Sequence, residues 1–75
     1  MTRKSRPWAV TLAPAGGADA TTTEHTSEAK AYEQVRAETA AVKAGTSTTS
    51  RIRVEQWNRL TNRWDLFDLI NPRES

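Results

Sequence analysis

The chain has 75 residues, 11 basic and 9 acidic, with one histidine, no cysteine and 36% hydrophobic content. That length allows one small domain, and the missing cysteine excludes disulfides and any thiolate-bound zinc or iron–sulfur centre. Only 16 side chains are apolar and larger than alanine, so burial barely offsets an ordering cost on the order of 100 kcal/mol, and a marginal monomer or one completed by a partner is expected.

The first element is a basic arm, residues 1–6, carrying Arg3, Lys4 and Arg6 ahead of Pro7. Residues after Arg6 sum to a net −1, so the high sequence pI belongs to this arm and not to the folded body. Such a short polar terminus is expected to be disordered. The arm and the apolar residues behind it loosely mimic a signal peptide, but Thr11, Pro14 and the Gly16-Gly17 pair interrupt the apolar stretch. No signal peptide and no membrane segment are read, and the chain is expected to be cytoplasmic. Arginine in excess of lysine, with abundant alanine and threonine, points to a GC-rich genome.

Trp8-Ala9-Val10-Thr11-Leu12 alternates large and small side chains, the period of a half-buried strand. Residues 14–19 are turn chemistry. The threonine-rich stretch 20–25 reads as a returning strand, with a loop as its rival. Folded back, the hairpin pairs Leu12 with Thr21, Val10 with Thr23 and Trp8 with His25.

Ser27 is placed to cap a helix and Glu28 to complement its dipole. From there to Ala44 no proline or glycine intervenes, and Tyr32, Val35, Thr39 and Val42, flanked by Ala31, form one narrow apolar stripe. Lys43 suits the last turn and Gly45 a left-handed cap. Residues 46–50 read as a polar connection.

Arg51 to Trp57 alternates strictly, with Ile52 and Val54 on one side and Arg51, Arg53, Glu55 and Trp57 on the other. Residues 58–63 read as a turn and Trp64 to Ile70 as a returning strand, a helix over 62–70 being the rival. Pairing Trp57 with Trp64 in unbroken register sets Val54 against Phe67, Ile52 against Leu69 and Arg53 against Asp68.

The fold class expected is α+β, a ββαββ domain over residues 7–71 with a four-stranded antiparallel sheet, one helix on one face, and a tail at 72–75. The expected core is Trp8, Val10, Leu12, Tyr32, Val35, Val42, Ile52, Val54, Phe67 and Leu69.

Chemistry-bearing constellations are scarce. His25 is the lone imidazole, with no second nitrogen or thiolate to complete a metal site and no sequence feature that sets a serine beside it. Gly16-Gly17 is too short for a phosphate loop and no lysine follows it. No enzymatic activity, cofactor, metal or small-molecule substrate is expected. The mixed charges of the helix suit a solvated face.

The sheet's far side is more informative. With the helix covering Ile52, Val54, Phe67 and Leu69, the opposite face would show Arg51, Arg53, Glu55, Trp57, Trp64, Leu66, Asp68 and Ile70. A cross-strand Trp57–Trp64 pair holding the hairpin end explains the tryptophans as well as binding does, but leaves Leu66 and Ile70 unexplained. An aromatic and aliphatic patch edged by arginines fits a protein interface, the partner being another protein or a second copy. The alternative is a nucleic-acid-binding accessory protein using Arg3, Lys4, Arg6, Arg51, Arg53, Arg59 and Arg63. Against it, the outward positions of the first hairpin, Ala9, Thr11, Thr22 and Glu24, carry no basic residue.

Overall fold

In the computed structural model, which describes residues 6–17 and 19–73, the elements run β1 (Trp8–Pro14), β2 (Thr21–His25), α1 (Glu28–Lys43), β3 (Thr49–Asn58) and β4 (Arg63–Ile70). A single 3₁₀ turn, Ala15–Gly17, links β1 to β2, and Gly16 and Gly17 both take positive φ there. The strands form one antiparallel sheet in the order β2-β1-β3-β4. This is the small α+β architecture expected. The basic arm lies, apart from the exposed Arg6, outside the described residues.

The first hairpin adopts the expected register, with Trp8 opposite His25, Val10 opposite Thr23 and Leu12 opposite Thr21. The helix is capped at both ends as its sequence dictates. Ser27 Oγ accepts from Lys30 N at 3.3 Å. At the other end, Thr46 N donates to Ala41 O and Gly45 N to Val42 O, with Gly45 at φ 80°. These are the paired bonds of a Schellman cap, which satisfy carbonyls the helix leaves open.

One face of α1 packs on β1, β2 and β3. Trp8, Val10, Ala31, Val35, Ile52 and Val54 form the buried core, with Leu12, Tyr32 and Ile70 packed against it. Thr49, expected in a polar connection, is buried and opens β3. Its hydroxyl donates to Glu38 at 2.6 Å and the Ser47 hydroxyl donates to the same carboxylate oxygen, so the loop is pinned to the helix. Pro72, expected in the tail, is also fully buried.

The second hairpin departs from expectation in its far half. Trp57 faces Trp64 and Glu55 faces Leu66, but the register then slips, so Val54 faces Asp68, Arg53 faces Leu69 and Ile52 faces Ile70. Phe67 is the extra residue of a β-bulge. The expected pairs Val54–Phe67, Ile52–Leu69 and Arg53–Asp68 are therefore absent. Two apolar doublets, Leu66-Phe67 and Leu69-Ile70, sit in this strand, and with Trp64 held outside opposite Trp57, strict alternation would send Asp68 and Ile70 outside as well, away from Tyr32 and the core. The inserted residue resolves the conflict.

Candidate interaction surface

Residues directly opposed across a strand pair share a face, so the register assigns the sheet's two sides. Toward the helix lie the rows Thr23–Val10–Val54–Asp68 and Thr21–Leu12–Ile52–Ile70. Away from it lie Glu24–Ala9–Glu55–Leu66 and Thr22–Thr11–Arg53–Leu69, with Trp57–Trp64 beyond. Ile70, expected on the outer face, is thus on the core side, and Leu69, expected in the core, is outside and 50% exposed. Asp68 likewise faces the helix.

Phe67 keeps its expected side but not its expected burial. Its ring meets Trp8 edge-on at 4.8 Å and Tyr32 at 6.4 Å, yet it remains 47% exposed because α1 lies over the other three strands. The Tyr32 hydroxyl donates to Asp68 Oδ2 at 2.8 Å. Partial burial first, and then this acidic acceptor, push the phenol up to about 12.

On the outer face Trp57 and Trp64 stack edge-to-face with centroids 5.3 Å apart, both half-buried. Leu66, 60% exposed, and Leu69 continue the apolar surface along β4. Arg51 and Arg53 flank it and are exposed. They also line a hollow of about 150 Å³ with Thr11, Ala13 and Ala20, formed because β1 presents only small side chains there. The patch is therefore Arg51, Arg53, Trp57, Trp64, Leu66 and Leu69. Leu69 was the member that alternation alone missed, and the pair of adjacent apolar doublets was the signal for it.

Apart from Arg6, the described residues of the nucleic-acid alternative fall at several places on the hairpin. Arg51 and Arg53 share the outer face, Arg59 sits in the β3–β4 turn, and alternation sends Arg63, opposite Asn58, to the side away from Trp64. Arg3 and Lys4 lie outside the described residues. His25 Nε2 hydrogen-bonds Gln34 Oε1 at 2.5 Å, tying β2 to the helix. No group of three or more metal-ligating side chains occurs among the described residues, and no helix there is long and apolar enough to cross a membrane.

A second concavity, about 500 Å³, runs between α1 and the end of β4. Its walls are Tyr32, Val35, Thr39, Ala40 and Ile70, with Arg36 and Lys43 also lining it. It exists because the helix stops short of the last strand.

No protein-family model, curated protein or solved structure matches the chain.

Proposed function

We propose that the protein is a cytoplasmic, non-enzymatic binding module whose working surface is the outer face of the β3–β4 hairpin, occupied by another protein or a second copy. The observation that carries this reading is the side-by-side exposure of Leu66 and Leu69 beside the Trp57–Trp64 pair, on a face no helix covers. In a domain this poor in large apolar residues, leaving half or more of each of two leucines in water forgoes about 1–2 kcal/mol each of burial, a cost that a partner covering them removes. The flanking arginines supply the polar rim such interfaces carry.

Leu66→Lys tests it. Lysine suits an exposed strand position, so the circular dichroism spectrum and melting temperature should stay close to the parent. Capture of the partner, or self-association in sedimentation, should be lost because the charge falls in the middle of an apolar contact. Unchanged binding overturns the reading.

One observation favours the alternative of nucleic-acid binding: exposed Arg51 and Arg53 share the hollow beside Thr11. Phosphate contacts weaken steeply with salt, whereas apolar contacts do not. Absence of binding to DNA and RNA at low salt would remove this alternative.

A further inference from the structure

The strand β4 is exposed in three directions at once. Leu66 and Leu69 stand on one face, Phe67 is half in water on the other, and the strand is an edge of the sheet, with its outward backbone groups facing no further strand. Native proteins seldom leave so apolar an edge strand uncovered. We propose that the partner is a second copy of this chain, joined by antiparallel pairing of the two β4 edges into an eight-stranded sheet. This rests on the reading of the β3–β4 hairpin as the binding surface, and specifies who occupies it and how.

The strand's own pattern selects the register. Trp64, Leu66 and Leu69 point outward, while Asp65, Asp68 and Ile70 point toward the helix side with Phe67. Opposed residues must share a face, and a closed dimer must obey a two-fold axis. The register that satisfies both along the strand sets Leu66 against Leu69 of the second copy, Phe67 against its Asp68 and Asp65 against its Ile70. Sliding one residue either way opposes the outward Leu66 to an inward side chain. Sliding by two opposes Asp65 to Asp68, or outward Leu69 to inward Asp68. The bulge is what breaks the degeneracy, because an unbroken alternation would pair in phase at every second step.

Charge supports the same register independently. Asp65 of one copy arrives beside Ile70 of the other, and Ile70 lines the groove beside α1 that Arg36 and Lys43 also line. Neither cation has an ion pair among the described residues. The groove thus receives a carboxylate at its positive side, twice per dimer.

Three measurements on the full chain test the proposal. Sedimentation of the parent should show a dimer; a monomer at every concentration overturns self-pairing. The chain has no native cysteine, so Leu66→Cys and Leu69→Cys, mixed and treated with a short bismaleimide, should cross-link several-fold more than either variant alone. Equal yields overturn the register. Asp65→Arg should weaken the dimer at least tenfold, and Arg36→Glu with Lys43→Glu in the same chain should restore it. A folded Asp65→Arg chain that dimerises like the parent, or is not rescued, overturns the charge contact. The underlying reading fails differently: capture of another protein on the outer face would survive Asp65→Arg, which points to the helix side, and be lost in Leu66→Lys.

Discussion

The Tyr32 hydroxyl donates to Asp68 Oδ2 at 2.8 Å, joining the helix to the last strand across the one part of the sheet the helix does not cover. Asp68 and Arg53 accordingly stand on opposite faces, since Arg53 faces Leu69. A double-mutant cycle of Tyr32→Phe and Asp68→Ala should give a coupling of about 0.5–1.5 kcal/mol, and the Arg53→Ala, Asp68→Ala cycle none. The same bond predicts an alkaline limit. The phenol ionises near 10 when unfolded and near 12 when folded. Its contribution is therefore full below pH 10 and drains away as pH rises from 10 to 12. Thermal melts of Tyr32→Phe should lose less stability than the parent over that interval.

Acid should act at the other end of the helix. The Ser47 and Thr49 hydroxyls donate to Glu38 and hold its carboxyl below the ordinary range, against the opposing effect of burial. A depressed folded pKa means stability that is present above the unfolded value and lost as pH falls through the folded one. Glu38→Gln should cost about 1 kcal/mol at pH 7, allowing for partial exposure. The gap to the parent should close as pH falls past the ordinary carboxylate range and through the depressed folded value, as measured by chemical denaturation across pH.

Gly45 sits at φ 80°, where a β-carbon would meet no atom within 4 Å. The cost of Gly45→Ala is therefore backbone strain alone, about 1 kcal/mol. Gly45→Asn should recover part of it, because asparagine tolerates the left-handed region. Urea midpoints of the two variants decide this.

Local chemistry was enough to read most of the fold. Alternation in Trp8–Leu12 and Arg51–Trp57, the Ser27 cap, the stripe from Tyr32 to Val42 and the Gly45 stop each depend on a few neighbouring residues. The turn before β4 is equally local: Asn58 Oδ1 accepts from Leu60 N and Thr61 N, and Asn62 takes φ 59°. Pairing Trp57 with Trp64 follows from that turn's length.

Beyond Leu66 the local information is exhausted. Both Leu66-Phe67 and Leu69-Ile70 offer a large apolar side chain to either face, so periodicity cannot choose between them. The choice belongs to contacts distant in the chain: Tyr32 on the helix takes Asp68, the Trp8 ring takes Phe67, and Ile70 joins the core opposite Ile52. Satisfying all three requires one extra residue in β4, which turns Leu69 outward beside Leu66. Composition and pattern determined that an apolar face would remain on the second hairpin; only the packed helix decided which leucines form it.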